Sequence, residues 1–164
     1  MSHVKRLLVT DRIFFITVNL RKNCPKLFEK EYALLAAAIE ESHSKLQFYW
    51  CGYVFMPDHW HALIGVKQTL TISRAVQNIK WISARRINQK RQRIGPLWQH
   101  QFWDRFVRHE TEFQKRLAYM HLNPVRKELI SHPKGWKWSS YGNYAVETEL
   151  RDRSPITVDH IRFS

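Results

Sequence analysis

Residues 48–66 read FYWCGYVFMPDHWHALIGV, which is two runs rich in aromatic and β-branched residues separated by a turn. Met56-Pro57-Asp58 supplies the turn, because Pro and Asp both favour turn conformations. The pattern predicts a β-hairpin whose first strand covers residues 48–55 and whose second strand begins at His59.

The second strand of this hairpin carries two histidines on either side of a tryptophan, as His59-Trp60-His61. Side chains on a strand alternate between its faces, so the two imidazoles share one face and the indole takes the other. One face can then hold a metal ion while the other packs into a core. Two imidazoles do not complete a coordination sphere, and paired histidines also occur as surface or hydrogen-bonded residues, so both interpretations stay open.

Outside the hairpin, hydrophobic periodicity predicts three helices and two more strands. The strands cover residues 12–20 and 97–103, and the helices cover residues 29–45, about 71–91, and 110 to about 123. The third helix is expected to end close to Asn123, because Pro124 disfavours helical geometry at the residue before it.

The order strand, helix, hairpin, helix, strand, helix is the split βαβ arrangement of ferredoxin-like α+β domains. We therefore expect an antiparallel sheet with helices packed on it, plus an additional C-terminal helix and a tail. The domain is expected to cover residues 1–149, and residues 150–164 to form a tail on the surface. This architecture alone does not define a function.

Charge limits the possible partners of this 164-residue chain. It has 27 Lys and Arg against 14 Asp and Glu, a net charge of +13, which indicates a polyanion such as nucleic acid. No long uncharged apolar run is present, so we expect no membrane association and a cytoplasmic protein. Cys24 and Cys51 are too few for a disulfide framework, and reduced thiols suit the same compartment.

The second predicted helix presents cations and an aromatic residue that suit a DNA strand, since charges hold phosphates and an indole can stack on a base. Its outward stripe contains Arg74, Asn78, Trp81, Arg85 and Asn88, and its end adds Arg86, Lys90, Arg91 and Arg93. A solvated helix face is the alternative interpretation. Arg105 and Arg108, which precede the third helix, are further candidates for phosphate contacts. The remaining tryptophans considered are expected in the core, namely Trp98, Trp103, Trp136 and Trp138.

The third predicted helix places Phe113, Leu117 and Met120 on one apolar stripe. Tyr119 lies off that stripe and shares a polar flank with Asn123, one helical turn further on. A tyrosine hydroxyl and an amide oxygen therefore point the same way. A half-buried packing tyrosine and a helix-terminal asparagine would give the same pattern.

Four segments of the chain together resemble the REP-associated tyrosine transposases, relatives of the single-tyrosine HUH transposases of bacterial insertion sequences. They are FMPDHWH at 55–61, FWDR at 102–105, YMHLNPVR at 119–126 and WSSY at 138–141. Each segment alone is weak, but their combination, order and spacing are specific. The resemblance extends from the first strand to Tyr141.

The resemblance implies a role for individual residues. It implies that His59 and His61 bind a divalent metal ion, Mg²⁺ or Mn²⁺, with Asn123 as the third ligand. Tyr119 would be the nucleophile, forming a 5′-phosphotyrosine link with single-stranded DNA near a REP-type hairpin. Family members typically carry Asn before the first histidine, where this chain has Asp58.

Two other functions fit the same residues. One is a non-catalytic nucleic-acid-binding module in which the histidines are surface residues. The other is a metal-dependent hydrolase that acts through water, with Tyr119 incidental. The sequence leaves open whether the protein is a monomer or a homodimer, as relatives of the family form dimers that can share active sites.

Overall fold

The main helices and strands follow the predicted order along the chain. In the computed structural model, which describes residues 4–163, the elements are β1 (Lys5–Arg6), β2 (Arg12–Asn19), α1 (Glu29–Leu46), β3 (Tyr49–Phe55), β4 (His59–Val66), α2 (Ile72–Arg91), β5 (Trp103–Val107), α3 (Glu110–Arg126), a 3₁₀ turn (Pro133–Gly135), α4 (Tyr141–Tyr144), α5 (Thr148–Asp152) and β6 (Ile161–Arg162). None of the helices within this range is long and apolar enough to cross a membrane.

The main sheet has four strands in the order β3-β4-β2-β5, and every neighbouring pair is antiparallel. This arrangement confirms the ferredoxin-like α+β fold. The central strand β2 pairs with β4 on one side and with β5 on the other, so that Thr17 lies opposite both His61 and Trp103. Residues directly opposite in an antiparallel pair share a face of the sheet.

The helices cover both faces of this sheet. Helices α1 and α2 pack on one face, where Trp60 is fully buried in the larger core. Helix α3 packs on the other face, where Phe113, Leu117 and Met120 are buried against β2, β3 and β4, as the predicted apolar stripe requires. The sheet therefore lies between α3 on one side and α1 and α2 on the other. These sides are called the α3 face and the α1/α2 face.

A glycine allows α3 to approach β3 closely. A Cβ atom built on Gly52 would lie 2.8 Å from Cδ1 of Leu117 and 3.1 Å from Cε of Met120, closer than real Cβ contacts allow or nearly so. Gly52 also follows a register irregularity in the pairing of β3 with β4. The absence of a side chain here therefore leaves room for the ends of the Leu117 and Met120 side chains.

The predicted fourth strand was misplaced by several residues. The strand is Trp103–Val107, whereas Leu97 and Trp98 are buried in a connecting segment that reaches the end of β2. The indole nitrogen of Trp98 donates to Ser83 Oγ at 2.9 Å in the buried layer under α2. The apolar character of this segment therefore reflects burial within a loop and not membership of the sheet.

Helix α3 continues past the predicted end at Asn123 and includes Pro124. Proline removes one backbone donor, which would otherwise bond the carbonyl group four residues earlier. The helix ends only two residues later, and the backbone N–H of Lys127 still donates to the Asn123 carbonyl at 3.0 Å. Pro124 is itself buried, so its ring makes packing contacts at the position where the backbone hydrogen bond is missing.

The C-terminal segment does not simply lie on the surface as expected. Ile156 and Val158 are buried in the larger core, and β6 forms a short parallel pair with β1. The Asp159 carboxylate accepts hydrogen bonds from the backbone of Trp50 and from other groups at 2.6–2.8 Å. The end of the chain therefore contributes both apolar and polar contacts to the fold.

Candidate functional site

The His59-Trp60-His61 strand has the alternation that the sequence predicts. Trp60 is fully buried on the α1/α2 face, and the two imidazoles lie together on the α3 face with ring centroids 4.7 Å apart. His61 is 6% exposed, whereas His59 is only partly buried at the start of β4. The pair therefore opens toward solvent on the side of His59.

A hydrogen bond orients each imidazole. Thr17 Oγ1 lies 2.8 Å from Nδ1 of His61, and Nδ1 of His59 donates to Asp58 Oδ1 at 2.6 Å. A tautomer of His61 that donates from Nδ1 to Thr17 leaves its Nε2 free. Both rings can therefore offer Nε2 to a metal ion, and such outer contacts are typical of histidines that bind metals.

His61 is in the neutral form that metal binding requires. Burial, and after it the positive charge that His59 can carry, together lower the pKa of His61 to about 3. Asp58 is more exposed, and although burial raises its pKa, its hydrogen bond with His59 lowers it below the ordinary value. Asp58 is therefore an ionised partner that holds the His59 ring.

Tyr119 extends from α3 to the ring of His61. Its ring centroid lies 5.7 Å from that of His61 and 6.1 Å from that of Phe15, which in turn stacks on His61 at 5.2 Å. Tyr119 is 39% exposed, in contrast to the buried stripe on the same helix. The structure thus brings together the tyrosine and the histidines, which lie about 60 residues apart in sequence.

Asn123 lies one helical turn beyond Tyr119 and is 4% exposed. Its backbone carbonyl accepts from the N–H of Lys127, as in a continuing helix. Two imidazole nitrogens and an amide oxygen are a donor set that suits a divalent cation. The described part of the chain contains no group of three or more His, Cys, Asp or Glu side chains placed to hold a metal, and the predicted set has only two members of these types.

Two arginines near Tyr119 were not among the predicted site residues. The guanidinium carbon of Arg116 lies 4.9 Å from the ring centroid of Phe15, and that of Arg126 lies 4.9 Å from the ring centroid of Tyr119. Their spacing of i−3 and i+7 from Tyr119 places all three on one side of α3, which was the signal available in the sequence. Positive charge therefore lies beside the Tyr119 ring and beside the neighbouring ring of Phe15.

The cations predicted on α2 lie across the sheet from Tyr119, because α2 packs on the opposite face. Arg74, Arg85 and Lys90 are exposed, and Trp81 is 60% exposed with the Arg85 guanidinium 4.6 Å from its ring centroid. The predicted stripe is thus a surface of its own, remote from the histidines. Two of its members face neighbouring groups instead: Asn78 bonds Ser42, and Asn88 bonds the Gly95 carbonyl.

Three other predicted DNA-binding arginines on this helix and after it are less available. Arg91 forms two hydrogen bonds to the fully buried carboxylate of Glu31, and Arg86 pairs with Glu41. Arg93 is partly buried. The Arg91 pair joins α2 to α1, so it belongs to the packing between these helices.

Arg105 and Arg108 are both exposed near the start of α3. Arg105 lies opposite Phe15 in the β2–β5 pairing, so it shares the face of the sheet that holds the histidines. Arg108 lines a cleft together with Arg105 and Lys115. The two arginines therefore lie on or next to the α3 face of the sheet.

The tryptophans expected in the core divide into two groups. Trp98 and Trp138 are buried, and Trp136 is partly buried with its indole nitrogen donating to the Phe55 carbonyl. Trp103 is 74% exposed, so its predicted place in the core was wrong. It begins the edge strand β5, where only β2 lies beside it.

A second cationic cleft lies at the end of the sheet that carries His59. Arg21, Lys22 and His100 line it together with Gln99. The Gln99 backbone donates to the carbonyl of Asn19, the partner of His59 in the β2–β4 pairing. The sequence offered only the adjacent basic pair after β2 as a signal for this cleft.

Comparison with known proteins identifies the class to which this fold and site belong. The chain matches the family described as "Transposase IS200 like" over residues 12–117, which is more than half of its length. The chain therefore belongs to the IS200-like transposases, which are DNA-cleaving and strand-transferring enzymes. The match contains both histidines and ends two residues before Tyr119.

A curated relative and a solved structure are similar to this chain over most of its length. The chain is 23% identical over 141 residues to the REP-associated tyrosine transposase of Escherichia coli (strain K12), covering 86% of this chain and 83% of that protein. A solved structure of a REP-associated tyrosine transposase bound to a REP hairpin superposes with a TM-score of 0.74 at 23% identity, covering 100% of this chain and 96% of that one. That likeness shows a shared fold.

Proposed function

We propose that this transposase cleaves and rejoins single-stranded DNA beside a REP-type hairpin, with Tyr119 as the nucleophile. The observation that carries the proposal is the position of the Tyr119 ring, 5.7 Å from that of His61. The similarity to a transposase structure bound to a REP hairpin supports the substrate class. The net charge of +13 supports a polyanionic partner.

The proposed metal ligands are His59, His61 and Asn123, and the proposed ion is Mg²⁺ or Mn²⁺. Such an ion, when bound, would neutralise phosphate charge and stabilise the departing oxygen. Thr17 and Asp58 fix the imidazole rings, so that less ordering is needed when the ion and DNA bind. Phosphate oxygens must bind to this site and leave it during the reaction. Such a site favours Mg²⁺ or Mn²⁺, because hard ions prefer oxygen ligands.

In the proposed reaction, the Tyr119 oxygen attacks the scissile phosphorus and loses its proton to solvent. The bond from phosphorus to the 3′ oxygen breaks, and that oxygen takes a proton to leave as a free 3′-OH. The 5′ phosphate stays attached to Tyr119 as a phosphodiester. Attack on this link by another 3′-OH rejoins the strand without an external energy source, because the number of phosphodiester bonds is unchanged.

The arginines around Tyr119 have a direct part in this proposal. Arg126 and Arg116 place positive charge where the nucleophile and the phosphate carry negative charge during attack. Arg105 and Arg108 are proposed phosphate contacts on the same face of the sheet. Arg74, Trp81, Arg85 and Lys90 on α2 are proposed contacts for DNA away from the cleavage point.

The proposal is tested with a single strand that carries a REP-type hairpin, labelled either at its 3′ end or at its 5′ end. With Mg²⁺, the 3′ label should become covalently attached to the protein, and the 5′-labelled fragment should be released with a 3′-OH. A free 3′-labelled product without any adduct would instead indicate a hydrolase that uses water. Binding without cleavage in either Mg²⁺ or Mn²⁺ would indicate a non-catalytic binding module.

A further inference from the structure

Trp103 is an exposed indole on the face of the sheet that holds the candidate site. It is 74% exposed at the start of β5, whereas Leu97 and Trp98, earlier in the same aromatic segment, are buried. Single exposed apolar residues are common on protein surfaces, so exposure alone does not indicate a role. The position of Trp103 in the sheet provides the further argument.

The strand register places Trp103 in line with the histidines. Thr17 pairs with Trp103 on one side and with His61 on the other, so all three side chains project from the α3 face. Two strand spacings separate the backbones of Trp103 and His61, which is about 10 Å. The nucleotides adjoining a phosphate bound at the histidines can reach across this distance.

The surroundings of Trp103 favour a DNA strand as its partner. Arg105 projects from the same face two residues further along β5, and Arg116 lies over Phe15, the residue opposite Arg105. Cations that follow a backbone, next to an aromatic platform for bases, are the usual components of a single-strand binding surface. Trp81, the other strongly exposed tryptophan, lies across the sheet and is covered on one side by Arg85.

We propose that Trp103 stacks on an unpaired base of the DNA strand next to the scissile phosphate, and that Arg105 contacts the adjoining phosphate. This inference rests on the proposed function, because it assumes that single-stranded DNA occupies the α3 face. Trp103 is then a residue that positions the strand for attack by Tyr119. The edge position of β5 keeps the platform open to a strand arriving from solvent.

The test measures binding of a fluorescein-labelled oligo(dT) of about 12 nucleotides, a length within typical single-strand site sizes. The reference protein carries Tyr119→Phe, so that cleavage does not interfere. Adding Trp103→Ala should weaken binding about 5- to 150-fold, the range that corresponds to the loss of one stacked base. Trp103→Phe should restore part of the affinity, because it keeps an aromatic ring.

Salt dependence separates stacking from charge. Trp103→Ala should leave the slope of log affinity against log salt unchanged, whereas Arg105→Ala should reduce its magnitude by about 1. Phe106→Ala is the matched control, because Phe106 lies on the same strand but faces the other side of the sheet, near Phe14. It should keep the affinity of the reference protein, with thermal unfolding as the check on folding.

A cross-linking readout fixes the location of the base. An oligo(dT) probe that contains 5-iododeoxyuridine should cross-link on irradiation to the peptide that includes Trp103. Unchanged affinity of Trp103→Ala, or weaker binding and cross-linking only through Trp81, would overturn the inference and leave the tyrosine chemistry standing. No binding of the probe by the reference protein would overturn the inference, whereas no binding of a hairpin-bearing strand would overturn the proposed function as well.

Discussion

At the scale of single residues, the candidate site depends on groups that fix its two imidazoles. Thr17 comes from β2 and Asp58 from the turn before β4, so the rings are held by different parts of the sheet. The sequence predicted the shared face of the histidines, because strand alternation is a local property. It did not predict Thr17, because that contact depends on which strand lies beside β4.

Removal of either imidazole tests the proposed metal site. We expect His59→Ala and His61→Ala to abolish cleavage in Mg²⁺ while keeping most of the affinity for a hairpin-bearing strand, since phosphate contacts by arginines provide most of that affinity. Cleavage and binding are measured on the same preparations, with circular dichroism to check the fold. Full activity of either variant would contradict the metal assignment.

Thr17→Val tests the orientation of His61, because it keeps the shape of the side chain but removes the hydroxyl group. We expect Mn²⁺ affinity, measured by calorimetry, to fall about 10- to 100-fold, as for other outer contacts of metal ligands. Thr17→Ser should recover most of the affinity because it retains the oxygen. Equal Mn²⁺ affinity in all three proteins would mean that the hydroxyl group has no part in holding the ring.

At the scale of elements, similar sequence patterns proved to have different structural roles. Trp98 and Trp103 lie in one aromatic segment, yet the first is buried in a connection and the second is exposed on an edge strand. Arg85 and Arg91 belong to one basic helix, yet only Arg91 is paired with a buried carboxylate. Periodicity located α2 and α3 well, but it could not identify these partners, which come from distant parts of the chain.

The different roles of Arg91 and Arg85 on α2 can be tested by measuring the stability and the DNA binding of their variants. We expect Arg91→Met to lower the free energy of unfolding by about 3–5 kcal/mol, because it leaves the buried Glu31 carboxylate without its partner. The comparison is Arg85→Ala, which should barely change urea unfolding but should weaken DNA binding and flatten its salt dependence. A stable Arg91→Met protein would show that the ion pair does not hold α1 to α2.

At the scale of the whole molecule, the carboxylate of Asp159 joins segments that lie far apart in the sequence. Asp159 accepts hydrogen bonds from His43, Lys5 and the backbone of Trp50, so it joins the C-terminal segment to β1, α1 and β3. Burial raises its pKa, but these hydrogen bonds outweigh burial and hold it at about 2. The sequence did not indicate this network, since Ile156, Val158 and Asp159 form no periodic pattern.

The depressed pKa of Asp159 predicts a pH dependence of stability. The ionised carboxylate stabilises the fold above the ordinary pKa of 3.8, and this contribution of about 2 kcal/mol is lost as the pH falls through about 2. We therefore expect Asp159→Asn to lower the free energy of unfolding near neutrality and to show a shallower loss of stability between about pH 4 and pH 2. Parallel acid profiles for both proteins would contradict the assignment.

The order of strands and helices, by contrast, was readable from the sequence because each element carries its own period. The hairpin, β2, α1 and α2 were predicted within a few residues of their observed bounds. Tyr119 could be placed off the buried stripe of α3 for the same reason. Its closeness to His61 could not be derived from periodicity, because it depends on how α3 packs on the sheet.

The central claim is that Tyr119 is the group that attacks DNA, and adduct formation tests it most directly. A 3′-labelled, hairpin-bearing strand is incubated with Mg²⁺ and with the unaltered protein, Tyr119→Phe or Tyr141→Phe, and the adduct peptide is identified by mass spectrometry. Tyr119→Phe keeps the ring and its packing but removes the attacking oxygen, so we expect normal binding and no adduct. Tyr141→Phe should form the adduct as the unaltered protein does, at Tyr119. Cleavage by Tyr119→Phe at a comparable rate, or an adduct on another tyrosine, would contradict the claim.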